Sequence, residues 1–184
     1  MKKAILFLVA AVMILMTAAC ALADGSLYDV KPFKFQHMED GLYRGVCPVY
    51  SAPYKDAYRA NNGRASVSTD GTLVDIGGFS NGWLLVRYET NNGAYRVGWI
   101  PPKYVKGIRT SMTPHFSYIR QTADEEIDVS DNNKEPFNTS SYFAQLEPGD
   151  VYYILGKYNY KVAEQWYIEF EWEGCTARGF ILAE

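Results

Sequence analysis

One unit occurs twice in this chain and closes the same way each time. The first copy runs from Trp83 to Gly98-Trp99-Ile100, and the second from Trp166 to Gly179-Phe180-Ile181. Each opens on a tryptophan at the start of an alternating strand, turns at a glycine (Gly93, Gly174), and ends in Gly-aromatic-Ile. A repeat of this length is a unit of architecture, so the chain is built from two similar pieces. The remaining signals are short runs of aromatic and β-branched residues broken by Gly, Asn and Pro, and beyond the N-terminal segment no helical spacing is sustained. These features predict an all-β protein of two small barrels in tandem.

The first residues read as a leader rather than as part of the fold. Lys2 and Lys3 form a positive start, Ala4 to Ala19 an apolar run, and Ala21-Leu22-Ala23 a small-x-small cleavage site before Asp24. The apolar run is short for a membrane span, which needs about 20 residues, and no stop-transfer pattern follows. A competing reading makes Cys20 an acylated lipoprotein cysteine, but Thr17 stands where a lipobox places a Leu-like residue. The expected division is a signal peptide at 1–23, an N-terminal arm at 24–41, a first barrel at 42–108 and a second at 109–184. Leu27, Tyr28, Phe33 and Phe35 are expected to dock the arm on the first barrel. A unit of about 70 residues buries a modest core, so packing of the two on each other would help both.

Two cysteines follow the leader, Cys47 and Cys175, one in each unit. In an oxidising compartment such a pair reads either as a disulfide clamping the units or as two separate buried thiols. The net charge of -3 conceals an asymmetry. Residues 42–108 carry eight Lys or Arg against four Asp or Glu, a net +4, whereas residues 109–184 carry six against thirteen, a net -7. Opposite charge on neighbouring units points to units that face each other, to a charged partner, or to surface drift. An acidic exported chain without a dense basic stripe is not read as a nucleic-acid binder.

In the first unit the strand candidates are Tyr43–Tyr50, Ala65–Val67, Thr72–Ile76, Leu84–Glu89 and Tyr95–Ile100. The turns between them are read at Asn61-Asn62-Gly63, Asp70-Gly71, Gly77-Gly78, Asn81-Gly82 and Asn91-Asn92-Gly93. Pro101-Pro102 stops the last strand. In the second unit the candidates are Phe116–Ile119, Tyr142–Leu146, Val151–Leu155, Trp166–Trp172 and Ala177–Leu182. Residues 124–138 are read there as a long acidic loop.

Four pieces of the first unit, in order, resemble the bacterial SH3-like family. Val49-Tyr50-Ser51-Ala52-Pro53 is similar to the family's Val-x-Ser-Gly-Pro segment, and Arg64-Ala65-Ser66-Val67 sits where a short second strand is usual. Gly82-Trp83-Leu84-Leu85-Val86 resembles the Gly-Trp-apolar strand. Gly98-Trp99-Ile100-Pro101-Pro102-Lys103-Tyr104-Val105 resembles the closing strand with its short helical turn. The second unit keeps Trp166 and Gly179-Phe180-Ile181 but lacks the Val-x-Ser-Gly-Pro segment and the Pro-x-x-Tyr tail, so it resembles a degenerate copy. The resemblance implies an accessory binding module on an exported protein, acting at the cell envelope on a wall peptide, a wall glycan or an exported partner. It implies an aromatic groove for an extended ligand at Tyr50, Tyr54, Trp83, Pro101 and Tyr104. Trp99, alternating with Val97, is expected to pack a core instead. The alternative is a structural subunit of an envelope assembly whose barrels only pack together.

Catalytic and metal readings lack their parts. A cysteine nucleophile needs a partner histidine, yet Cys47 precedes a proline in a strand, and His37 and His115 lie in connecting segments. No nucleophile elbow or zinc pair appears, and neither an enzyme nor a cofactor is expected. Asp124, Glu126, Asp128 and Glu135 fall at positions 1, 3, 5 and 12 of a calcium-type loop, but Val129 occupies the position that needs glycine. The stretch is therefore read as a solvated run of charge.

Overall fold

The computed structural model describes residues 27–32, 34–38, 45–68, 74–90, 95–105, 108, 110–131, 142–160 and 163–183. The segment read as a leader, with Cys20, the side chains of Tyr28 and Phe33, the expected turns at Asp70-Gly71 and Asn91-Asn92-Gly93, and Glu135 lie outside what is described. The protein is all-β and antiparallel in every named strand pair. Its strands are β1 (Gln36–Met38), β2 (Val46–Pro48), β3 (Ser66–Ser68), β4 (Val74–Ser80), β5 (Trp83–Glu89), β6 (Tyr95–Ile100), β7 (Ile119–Thr122), β8 (Ile127–Ser130), β9 (Tyr142–Leu146), β10 (Val151–Tyr160), β11 (Ala163–Trp172) and β12 (Cys175–Leu182). They form a four-stranded sheet in the order β1-β4-β5-β6, a six-stranded sheet β7-β10-β11-β12-β8-β9 and a two-stranded ribbon β2-β3. Among the described residues no sheet closes on itself.

Pairing repeats strand by strand across the two halves. β1 lies beside β4 as β7 lies beside β10. The hairpins β4-β5-β6 and β10-β11-β12 follow the same order. The ribbon β2-β3 joins β6 through the single bridge Tyr50↔Trp99, and β8-β9 joins β12 through the single pair Phe180↔Ser130. Both halves bulge at the same place, Ile76/Gly78 in β4 and Ile154/Gly156 in β10. Two glycines explain the tight closure. A Cβ on Gly98 would meet Val49 Cγ1 at 2.3 Å and the Tyr50 carbonyl at 2.9 Å, and one on Gly179 would meet Val129 Cγ1 at 2.5 Å and the Ser130 carbonyl at 2.8 Å. The Gly-aromatic pair thus lets the closing strand press against the first ribbon strand in each half.

The register corrects the sequence reading in five places. Val86 faces Gly98 as Ile168 faces Gly179, and Leu84 faces Ile100 as Trp166 faces Ile181. Trp166 therefore matches Leu84, and the residue matching Trp83 is Gln165. A one-residue offset turns a side chain to the other face of a strand. Second, the first half begins at β1, inside the segment read as an arm. Leu27 is exposed and Val30 joins the core of the second half, whereas Phe35 does meet the first half, packing on the shared cluster with Arg87 over its ring at 5.3 Å. Third, Gly77-Gly78 is not a turn but the bulge within β4. Gly78 has φ +111°, and the linker carbonyl of Met112 sits where its Cβ would be, at 2.4 Å. Fourth, Asn61-Asn62-Gly63 belongs to a one-turn helix α1 (Ala60–Gly63) rather than a hairpin. Fifth, the acidic loop contains β8, because Ile127 and Val129 turn inward while Glu126 and Asp128 are exposed.

Three clusters of buried side chains hold the molecule. One lies inside the first half (Val49, Val67, Ile76, Leu84, Val86, Ile100 among others). A second lies inside the second half (Val129, Ile154, Trp166, Ile168, Phe170, Ile181 among others). The third joins the halves: Trp83, Leu85, Val97 and Trp99 from one, and Leu155, Tyr158, Tyr167 and Phe180 from the other. By register, Leu85 and Trp99 are the counterparts of Tyr167 and Phe180, so the halves meet through equivalent faces, as in a two-fold dimer. Trp99 is fully buried as expected, but in this shared cluster rather than in its own half's core. Polar contacts cross beside it. The Tyr58 amide donates to the Thr176 carbonyl at 3.2 Å. The Arg96 guanidinium pairs with Asp131 at 2.8 Å, and Arg87 donates to the Tyr158 hydroxyl.

Candidate functional site

A groove of about 1020 Å³ opens on the first half, on the side of the ribbon away from its core. The ribbon supplies one wall. Cys47 and Val67 point into the core, so alternation turns Val46 and Pro48, with Ser66 paired opposite Pro48, toward the groove. The opposite wall is the turn after β6. Pro101 ends the strand at φ -64° and ψ 154°, and a single 3-10 turn follows, Pro102–Tyr104, with the Tyr104 amide donating to the Pro101 carbonyl at 3.0 Å. Gly82, at φ +80°, lets the β4-β5 turn lie against Pro102, whose Cγ would stand 3.3 Å from any Cβ. Tyr50 and Trp83 also line the groove, rings edge to face with centroids 5.3 Å apart.

Four of the five residues expected to form a groove, Tyr50, Trp83, Pro101 and Tyr104, line this one. Tyr54 does not. It is exposed, and burial followed by the charge of Glu169 in the second half raises its pKa, with Arg178 opposing. It therefore belongs to the surface near the junction of the halves. Trp83 is only 7% exposed, because its body enters the shared cluster and little of it faces the groove.

The cations were not singled out from the sequence. Lys55, Arg59, Arg64 and Lys103 line the groove, and among the described residues no Asp or Glu does. Arg59 is anchored: its Nη2 donates to the Ala65 carbonyl at 2.8 Å and its Nε to the Val49 carbonyl at 3.4 Å, while its guanidinium lies over the Tyr50 ring at 4.9 Å. The Lys103 ammonium lies over the Tyr104 ring at 4.6 Å. The one legible signal was the +4 balance of residues 42–108, without its location.

The second half lacks the side chains that line this groove. The counterparts of Tyr50, Trp83 and Pro101 are Ser130, Gln165 and Leu182, by the pairings that equate the two halves. Cys47 and Cys175 are free thiols, so the expected disulfide does not clamp the halves. Cys47 is fully buried, and burial pushes its thiol pKa up, the opposite of what activates a nucleophile. Among the described residues no cluster of His, Cys, Asp and Glu is arranged to hold a metal ion, and no helix is long and apolar enough to cross a membrane. Compared with family models, curated proteins and solved structures, the chain matches none.

Proposed function

We propose that this is an exported, non-catalytic binding protein of the bacterial cell envelope, built as two SH3-like barrels of which the first holds an extended ligand. One observation carries the reading: Tyr50, Trp83, Pro101 and Tyr104, spread over more than fifty positions of the chain, converge on a single open groove. Rigid aromatic and proline surfaces bind extended chains at low entropic cost. The second barrel, without these residues, supports the first through the shared cluster. The test is co-sedimentation of the processed chain, residues 24–184, with purified cell-wall sacculi and with envelope extracts. Tyr104→Ala is the informative variant, since Trp83→Ala would open a cavity in the shared cluster. Binding that falls about tenfold in the variant, with an unchanged circular dichroism spectrum, supports the groove; binding unaffected by Tyr104→Ala overturns it.

The alternative is a structural subunit of an envelope assembly. What favours it is the shared cluster itself, which consumes the apolar faces of both repeats in packing. That reading expects no ligand at the groove and no effect of Tyr104→Ala on assembly.

A further inference from the structure

The first half has six cationic side chains among the described residues: Lys55, Arg59, Arg64, Arg87, Arg96 and Lys103. Arg87 is paired with Asp75 and Arg96 with Asp131. The other four pair with no carboxylate among the described residues, and they are the four that line the groove. Cations gathered in one concave place, with no described acid between them, raise the local positive potential and concentrate anions there. Nothing in the packing requires this grouping, since Lys55, Arg64 and Lys103 are exposed.

The aromatic faces narrow the choice of anion. A neutral sugar is held by laying its ring flat on an open aromatic face. Here Arg59 covers a face of Tyr50, Lys103 covers a face of Tyr104, and Trp83 is 7% exposed. The cations stand where a sugar ring would stack. What remains open is a ridged apolar floor of Val46, Pro48 and Pro102 between positive rims, with the buried Pro101 lining it from beneath. Such a surface fits an extended peptide whose apolar or proline side chains enter the floor while its carboxylates meet the rims.

We infer that the groove selects an acidic, extended peptide segment, with Lys55, Arg59, Arg64 and Lys103 pairing with its Asp or Glu side chains and Tyr50, Pro101 and Tyr104 seating the residues between. The inference rests on the groove reading above and adds the chemical class of the ligand. Anchoring by two backbone carbonyls makes Arg59 the fixed charge, and the three exposed cations supply attraction that salt screens.

The probes are fluorescein-labelled peptides of alternating Glu and Pro, of Gln and Pro, and of Lys and Pro, titrated by anisotropy against residues 24–184 at low and high salt. The Glu-Pro peptide is expected to bind at least tenfold more tightly than the Gln-Pro peptide, and the Lys-Pro peptide not at all. Lys55→Glu combined with Lys103→Glu should lower Glu-Pro affinity about tenfold or more and flatten its salt dependence, with the thermal midpoint unchanged because both side chains are exposed. Equal binding of the Glu-Pro and Gln-Pro peptides, lost in Tyr104→Ala, would overturn the charge selection while leaving the groove standing. Displacement of Glu-Pro by inorganic polyphosphate at concentrations at least a hundredfold below those needed of unlabelled Glu-Pro would assign the site to a phosphate polymer and overturn the peptide. Self-association seen by sedimentation, broken by the double variant and not by Glu-Pro, would make the acidic half of a second copy the occupant and overturn it likewise.

Discussion

The Tyr167 hydroxyl lies fully inside the molecule and donates to the Ser51 carbonyl at 3.2 Å, joining the two halves. Burial pushes its pKa up to about 12, with the Arg178 charge acting in the opposite direction. Arg178 is itself 3% exposed. It pairs with Glu169 at 2.6 Å and lies over the Trp99 ring at 5.4 Å. Burial works against its charge, but Tyr167, Glu169 and Tyr118 outweigh it and keep the guanidinium protonated. The raised tyrosine pKa has a defined consequence for stability. In the unfolded chain Tyr167 ionises near pH 10, whereas in the fold it holds its proton to about 12. The stabilisation is complete below pH 10 and is lost as pH rises through 12, an amount of roughly 3 kcal/mol. Urea midpoints measured from pH 8 to 11.5 should fall most steeply above pH 10. Tyr167→Phe should cost about 1 kcal/mol at neutral pH through the lost hydrogen bond and make the alkaline decline shallower. A decline of equal slope in the variant would place the titration elsewhere, Tyr88 and Tyr58 being the next buried tyrosines raised by burial.

At the scale of elements, β6 and β12 close their halves by the same device, a glycine pressed on the backbone of the facing strand. Gly98→Ala and Gly179→Ala should each destabilise by about 1–3 kcal/mol, because the obstructing atoms include the carbonyls of Tyr50 and Ser130, which cannot swing aside. Chemical denaturation would check this, and a neutral effect at either site would deny the equivalence of the closing strands. The strands most legible in the sequence were those whose two faces differ. β5, β6, β9 and β12 lie close to the bounds the sequence predicts, because inward apolar residues alternate with outward polar ones or turn residues mark their ends, whereas β4 runs on to Ser80 through the predicted turn. β8 escaped notice because its inward Ile127 and Val129 sit in a field of acid. The Gly77-Gly78 bulge was taken for a turn because both need glycine, and only the seating of the Met112 carbonyl tells them apart. Trp83 and Trp166 looked like one repeated position, yet pairing puts them on opposite faces.

For the whole molecule, the shared cluster makes the halves mutually dependent. The Phe180 ring lies tilted against Tyr167 at 5.1 Å and against Tyr158 at 5.9 Å, with Trp83, Leu85, Val97 and Trp99 in the same cluster from the other half. Phe180→Ala should cost about 3–5 kcal/mol and lower a single cooperative transition seen alike by tryptophan fluorescence and by circular dichroism. Two separate transitions in the unaltered protein would mean that the halves fold independently. Leu85 illustrates why this pairing was hidden. It shares a strand face with Arg87 and Glu89, which reads as solvent-facing, and it is buried because the other half covers it. The groove was legible in its aromatic and proline residues, which carry a local pattern. Its cations were not, because Lys55, Arg59 and Arg64 lie in the β2-β3 connection and Lys103 in the turn after β6, and they acquire a common meaning only where those two segments meet. Composition, alternation and turn residues are local properties, and they established an antiparallel all-β chain with a doubled closing motif. The junction of the halves, the one-residue offset between the two tryptophans and the gathering of unpaired charge depend on register and on contacts between distant segments, which no local pattern encodes.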